Sequence, residues 1–401
     1  MRNLQNLWAQ SVSRRRAFRN LASFLAASPL LRAQQDPFRD HSRVPGLNEL
    51  KDAFDFEAVA YAKLPRYAYD YTSYGADSEF TLRRNREAFD WVELVPRRVG
   101  DVGKIRTATE ILGTKMDYPI MVAPSSGHGA LHPDGELATH KGTSAASKTT
   151  MIVSNGASSG MDKIAAVADG PLWFQLYPRE NIDDDRDQLE KAQASGCKAV
   201  VVTIDQQIST APYERTLHDR NISGRGGGGP QRAAGGRRPP RGPYGLTESR
   251  LWYEWKFFDQ IRPFVRVPLL AKGIINPGDA KRCLEHGLDG IYVSNHGGRS
   301  MDYGPSTLEM LPEIAAAVGG RVPILFDSGI RRGTDILKAL ALGASAVCLG
   351  RVPRWGLGAY GPEGVQRVLE ILQAELVQAM AATGRPSLDS IDKTLVRTDF
   401  A

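Results

Sequence analysis

The stretch Ser294-Asn295-His296-Gly297-Gly298-Arg299 brings a base, a permanent cation and two adjacent glycines together. A histidine three positions from an arginine suits proton abstraction from a substrate whose carboxylate is clamped alongside. The glycines let the backbone come close to something flat or bulky. This stretch follows the short apolar run Gly290–Val293, and other polar residues with a chemical use follow similar runs. Ser125 and Ser126 come after Pro119–Ala123, and Ser154 ends Thr150–Ser154. Gln175 and Tyr177 close Leu172–Tyr177, Thr203 lies near the end of Ala199–Ile204 with Asp205 just after it, and Lys272 ends Pro268–Lys272. Asp327-Ser328-Gly329-Ile330-Arg331-Arg332-Gly333 follows Pro323–Phe326, and Gly350-Arg351 follows Ala346–Leu349.

Eight short apolar runs without strict alternation read as strands buried on both faces. Helical patterns lie between most of them, at Asp183–Ser195, Pro277–His286 and Thr334–Leu342. Another follows the last run at Glu363–Met380, with Val365, Val368, Leu369, Leu372 and Leu376 on one face. The alternation predicts an α/β fold, a (β/α)8 TIM barrel, with a doubly wound sheet as the alternative. Barrel enzymes hold their sites at the C-terminal ends of the strands, where all of these polar residues fall. Upstream, the pattern predicts a helix from Leu47 to Arg66, with Leu50, Phe54, Ala58 and Tyr61 as its apolar face and Pro65 as its end. A tyrosine-rich segment, Tyr67 to Tyr74, precedes a second helix over Glu79–Trp91. The fourth and fifth runs are joined by more than 60 residues, rich in glycine and arginine. That composition predicts a flexible basic loop over residues 206–250.

A chain of 401 residues allows one large barrel domain. The net charge of +6 comes largely from Arg14-Arg15-Arg16 with Arg19 and from the arginines between Arg220 and Arg241. Neither cluster carries stacking aromatics or a groove-reading motif, which argues against nucleic acid as a partner. The three cysteines are far apart and lack metal-ligand spacing, so they read as packed thiols and no metal site is expected. Ser13-Arg14-Arg15-Arg16-Ala17-Phe18, followed by the weakly apolar Leu21–Leu31, looks like a twin-arginine export signal. With Pro29 inside it, that apolar stretch is too short to span a bilayer as a helix. The expected organisation is an export signal over 1–33, an N-terminal helical extension over 34–117 and a barrel over 118–401. A periplasmic location follows, with the cytoplasm as the alternative.

Loops after the seventh and eighth strands of such barrels commonly bind phosphate. Gly329, Arg331, Gly350 and Arg351 suit that use. No Walker-type loop occurs, and no Gly-x-Gly-x-x-Gly opens a helix after a strand, which disfavours a nucleoside triphosphate or a Rossmann-bound nicotinamide. A flavin mononucleotide could lie across the barrel mouth, with Lys272 as countercharge to its reduced ring.

On Lys272-Gly273, the His296-Gly297-Gly298-Arg299 loop, Asp327 to Gly333 and Gly350-Arg351, the chain resembles the FMN-dependent α-hydroxy-acid oxidase and dehydrogenase family. That family includes glycolate oxidase, lactate oxidase and mandelate dehydrogenase. Leu64-Pro65 with Tyr69-Asp70-Tyr71, and Phe174-Gln175-Leu176-Tyr177, extend the likeness from about Leu47 to the C-terminus. The resemblance implies FMN as cofactor and His296 as general base at the substrate's α-carbon or hydroxyl, with Asp205 orienting it. It implies Arg299 on the substrate carboxylate, helped by Tyr71 and Tyr177. Ser125, Ser126, Ser154, Gln175, Thr203, Lys272 and Ser294 would surround the flavin ring. Asp327, Gly329, Arg331, Gly350 and Arg351 would meet the ribityl chain and phosphate. The implied reaction is oxidation of a 2-hydroxy acid to the 2-oxo acid, with oxygen or a quinone or cytochrome taking the electrons, in a homo-tetramer or octamer.

Three departures from the family pattern stand out. Tyr213 occupies the substrate-facing place where most members have a second carboxylate-binding arginine, with Arg215 two residues on. Ser126 replaces an alanine beside the flavin, and Gly156 replaces a bulky aromatic. These changes suggest a larger α-hydroxy or α-amino carbonyl substrate. A flavin-dependent isomerase, or a flavin-binding module without turnover, is the remaining alternative.

Overall fold

The computed structural model describes residues 43–97, 102–179, 181–206 and 254–400. The predicted export signal, Tyr213 and most of the predicted basic loop lie outside these residues. Of the first 49 residues, the described part holds a short 3-10 turn, Leu47–Glu49, and an Arg43–Glu49 ion pair.

From Leu50 onward the chain opens with helices α1 (Ala53–Lys63), α2 (Arg66–Ser73) and α3 (Phe80–Glu87). Strand β1 (Val92–Leu94) and a hairpin of β2 (Thr109–Ile111) and β3 (Thr114–Met116) follow. The barrel then alternates β4 (Ile120–Val122), α4 (Gly135–Ala145), β5 (Thr150–Ser154), α5 (Met161–Ala165), β6 (Leu172–Leu176), α6 (Ile182–Ala194) and β7 (Val200–Thr203). It continues through α7 (Lys256–Ile261), β8 (Leu269–Ile274), α8 (Pro277–Glu285), β9 (Gly290–Val293), α9 (Thr307–Val318), β10 (Ile324–Phe326), α10 (Gly333–Ala341) and β11 (Ala346–Leu349). Last come α11 (Arg351–Ala382) and β12 (Val396–Thr398), which pairs antiparallel with β1.

Strands β4 to β11 are the eight expected apolar runs, and they close into one parallel barrel with β11 beside β4. The chain therefore adopts the (β/α)8 fold rather than a doubly wound sheet. Side chains such as Met121, Ile152, Trp173, Val201, Leu270 and Leu325 fill the interior. Ile111 and Met116 of the β2–β3 hairpin join that core, and Trp173 donates its indole N–H to Thr114 Oγ1 at 2.9 Å. The hairpin thus plugs the N-terminal end of the barrel and leaves its C-terminal mouth as the open end. The expected extension over 34–117 is consequently not helical throughout. Its last part is strand, because Ile111 and Met116 face the barrel core while Glu110 and Lys115 face solvent, the period of two that a half-buried strand requires.

The first predicted helix differs in its buried face. Asp52 caps α1, and Ala53, Phe56, Val59 and Ala60 are buried, whereas Phe54 is 44% and Tyr61 54% exposed. Both sets satisfy helical spacing; the small Ala53 and Ala60 let α1 lie close along α11. Pro65 marks the end of that first helix as expected, since α1 stops at Lys63 with Leu64 as its C-cap. The same proline stands at the N-cap of α2, where its missing N–H costs nothing, and the tyrosine-rich segment becomes helix.

The N-terminal helices are bolted to the loop after β9. Asn85 Nδ2 donates to Asn295 Oδ1 at 2.9 Å, and Asn295 Nδ2 returns a bond to Asn85 Oδ1 at 2.8 Å. Arg84 forks onto Glu309, and Asp302 accepts from the backbone N–H groups of Ser78 and Thr81. Arg86 pairs with Asp335 and donates to the Gly329 carbonyl. Gly329 has φ +86°, and a Cβ there would sit 2.0 Å from the Asn85 carbonyl, so only glycine fits this crossing. Asn85→Leu leaves buried Asn295 without two of its bonds. It should cost about 2–4 kcal/mol, read as a lower urea midpoint with an unchanged denaturant slope.

Candidate active site

His296 lies just beyond β9 and is held in the left-handed region at φ +58°. Such a conformation costs about 1–3 kcal/mol outside glycine and persists only where neighbours enforce it. Here the His296 N–H donates to Ser294 Oγ at 3.1 Å. Gly297 N–H donates to Ser328 Oγ, and Gly298 N–H to Asn295 Oδ1. Ser328, itself at φ +86°, donates to Asp327 Oδ1 at 2.8 Å, which joins the loops after β9 and β10.

The imidazole Nδ1 lies 3.0 Å from Asp205 Oδ1, and Ser300 Oγ donates to Asp205 Oδ2 at 3.1 Å. A carboxylate on Nδ1–H leaves Nε2 as the basic nitrogen, and Tyr177 Oη stands 3.4 Å from it. Burial lowers the His296 pKa from its ordinary value; the Lys272 charge lowers it further and Asp205 partly restores it. Burial alone would raise Asp205, but His296 and Lys272 outweigh it and hold the carboxyl below its usual range. The pair is therefore a neutral base on an ionised carboxylate.

A cavity of about 480 Å³ opens at the barrel mouth, a size that suits a cofactor with a small substrate. His296, Arg299, Tyr71 and Tyr177 line it, as do Ser125, Ser126, Ser154 and Lys272. Asp327, Gly329, Arg331, Gly350 and Arg351 line its other end. Four further expected site residues stand behind the wall. Asp205 holds His296, and Gln175 accepts from Ser154 Oγ at 3.0 Å. Ser294 accepts from Lys272 Nζ at 3.0 Å, and Thr203 pairs with Lys272 in the β7–β8 register. Lys272 is almost fully buried, with Asp327 Oδ2 at 3.9 Å.

Arg299 donates to the Tyr71 carbonyl at 2.6 Å and to Tyr74 Oη at 2.8 Å, and its guanidinium packs 3.9 Å from the Tyr74 ring centroid. Tyr74 is thus a positioning residue that the sequence reading left among undifferentiated tyrosines. Ser300 and Arg354 were given no place in the site, and Ser328 appeared only within the polar run after the seventh strand. Arg354 falls one helical step past Arg351 on α11, a spacing that would have placed it at the same mouth.

Arg331 and Arg351 are half-buried, and each lines the cavity. Burial pulls Arg331 down to about 10 and Arg351 to about 9; Arg86 adds to the first shift and Arg299 and Arg331 to the second, while Glu57 acts against both. Arg351 donates to the carbonyls of Gly297 and Tyr74, yet its Nε is buried without a hydrogen-bond partner among the described residues. Crowded, desolvated guanidiniums at the start of a helix form a donor set for a phosphate dianion.

A family model described as FMN-dependent dehydrogenase matches residues 60–398. A peroxisomal (S)-2-hydroxyacid oxidase of Arabidopsis thaliana is 37% identical over 357 residues, which cover 88% of this chain and 98% of that protein. A 2-hydroxyacid oxidase of Dictyostelium discoideum is 38% identical, covering 83% of this chain and 86% of its own. The crystal structure of mandelate oxidase with (S)-2-phenylpropionate superposes with a TM-score of 0.76 at 32% identity, over 88% of this chain and 99% of that one.

The electrostatics can be checked without turnover. The His296 imidazole, assigned by NMR against a His296→Asn spectrum, should titrate below the ordinary value of 6.5. Asp205→Asn should move it lower still, because burial and Lys272 then act unopposed; an upward move would contradict the arrangement.

Proposed function

Since the chain belongs to the FMN-dependent dehydrogenase family, we propose that it oxidises 2-hydroxy acids to 2-oxo acids at the barrel mouth. The observation that carries this reading is one cavity with a neutral His296 on an ionised Asp205, the Arg299 cation, and a separate pair of half-buried guanidiniums, Arg331 and Arg351.

The residues present fit FMN. Arg331, Arg351 and the opening of α11 would hold its phosphate, which supplies the counter-anion those guanidiniums need and a partner for Arg351 Nε. Gln175 Nε2 is likewise buried without a partner among the described residues, and with Ser125, Ser154 and Lys272 it would meet the polar edge of the ring. FMN, when bound, supplies an acceptor for the two electrons released at the substrate's α-carbon.

The chain's own residues then have defined tasks. Arg299 clamps the substrate carboxylate with N–H groups that Tyr71 and Tyr74 do not use. Tyr71 offers a phenol that burial would make a weaker acid. Arg299, Arg354 and the Ser126 hydrogen bond reverse that effect and lower its pKa. Such a phenol is a good donor to an oxygen gaining negative charge. His296 Nε2 takes the proton from the α-carbon or hydroxyl, and Asp205 stabilises the imidazolium that results. The oxidase names of the relatives favour oxygen as final electron acceptor over a quinone or cytochrome.

Purified protein should be yellow, and a 2-hydroxy acid should bleach its flavin anaerobically. His296→Ala should keep the flavin and slow the bleaching by about 10²–10⁴-fold. Arg299→Met should act mainly on KM. Colourless protein that takes up no FMN would remove the reading, and fast recolouring on mixing with oxygen identifies the acceptor.

A further inference from the structure

We infer that Arg354 forms a second anion-binding position in the substrate pocket, so that the preferred substrate is a 2-hydroxy acid carrying another carboxylate on its side chain. This rests on the function proposed above.

Arg354 is 5% exposed and lines the cavity. Its Nε and Nη2 donate to Thr72 Oγ1 at 3.2 and 3.1 Å, and Nη1 donates to the Ser126 carbonyl at 2.6 Å. These partners are neutral, and no carboxylate among the described residues comes within ion-pair distance. A buried cation whose direct partners are all neutral is costly, and burial pulls Arg354 down to about 10 although the more distant Glu136 carboxylate acts in its favour. A guanidinium has five N–H groups. The three bonds leave one N–H on each terminal nitrogen, the fork that suits a carboxylate.

Its position assigns this anion to the substrate rather than to the cofactor phosphate. Arg331 packs 4.6 Å from the Trp355 ring, and Arg351 is tied to Gly297 and Tyr74, whereas Arg354 lies 5.6 Å from the Tyr71 ring. Arg299 is 5.0 Å from that same ring, and Tyr71 Oη is 3.1 Å from Ser126 Oγ. The two guanidiniums thus flank one tyrosine of the pocket. A Cβ at Gly156 would press on Ser126 Cβ at 3.2 Å, so glycine there spares the Ser126 wall whose backbone Arg354 holds. A substrate side chain extending along that wall would end at Arg354.

The test uses purified flavoprotein and matched pairs: 2-hydroxysuccinate against 2-hydroxybutyrate, and 2-hydroxyglutarate against 2-hydroxypentanoate. Anaerobic flavin bleaching should favour the dicarboxylate in kcat/KM by about 10- to 100-fold, the scale of one hydrogen bond to a charged group. Arg354→Met should collapse that ratio, and Arg354→Lys should keep part of it. Non-reacting succinate should perturb the flavin spectrum at lower concentration than butyrate, and lose that advantage in the Met variant. Equal use of both members of each pair overturns the inference while leaving the proposed function standing. Failure of every hydroxy acid to bleach the flavin removes both. Loss of bound FMN from both variants would assign Arg354 to the cofactor and overturn the inference as well.

Discussion

Asn85 and Asn295 exchange two amide hydrogen bonds in the protein interior, and the mouth of the barrel depends on that exchange. Asn295 immediately precedes the strained His296, and the oxygen that faces Asn85 also accepts from the Gly298 N–H. One side chain therefore joins an N-terminal helix to the turn that aims the base. Buried amides are specific because a misplaced partner leaves polar atoms unsatisfied, whereas an apolar contact would tolerate sliding. The surrounding bonds, from Arg84 to Glu309 and from Asp302 to the start of α3, reinforce the same junction. The barrel supplies the frame, and the N-terminal helices fix the geometry of its loops.

The second organising constraint is positive charge. Arg299, Arg331, Arg351, Arg354 and Lys272 all line one cavity. Most of these cations are held by carbonyls, hydroxyls and aromatic faces instead of carboxylates. Neutral partners keep the guanidiniums in place without neutralising them, which leaves their field directed at whatever anion enters. Carboxylates also stand in this field: Asp205, 3.0 Å from His296 Nδ1, and Asp327, 3.9 Å from Lys272 Nζ.

Much of this was legible in the chain. Parallel strands buried on both faces read as continuous apolar runs, so each of the eight barrel strands announced itself, and the polar residues at their ends marked the mouth. Legibility failed where spacing was compatible with more than one answer. Phe54 and Tyr61 satisfy helical periodicity as well as Phe56 and Val59 do; packing against α11, not periodicity, decides which pair is buried. The β2–β3 hairpin was hidden because its strands are three residues each, too short for a pattern. Tyr74 and Arg354 were hidden for another reason. Their roles arise from contacts with Arg299 and Ser126, which are remote in sequence. Tyr213 lies outside the described residues, so its expected place facing the substrate stays a reading of the sequence.

The pairing of β1 with β12 has a consequence for how the molecule is made. Val92 lies opposite Thr398, so β1 waits for residues about 300 positions further along before it has this partner. The bonds between α3 and the loops after β9 and β10 likewise span 210 to 249 positions. Contacts this distant in sequence close late and slowly, since a long loop must be ordered before any of them forms. On a ribosome, the barrel strands can emerge and associate in order while α1 to α3 remain undocked. The mouth therefore takes its final shape only when α3 meets segments more than 200 positions further along the chain.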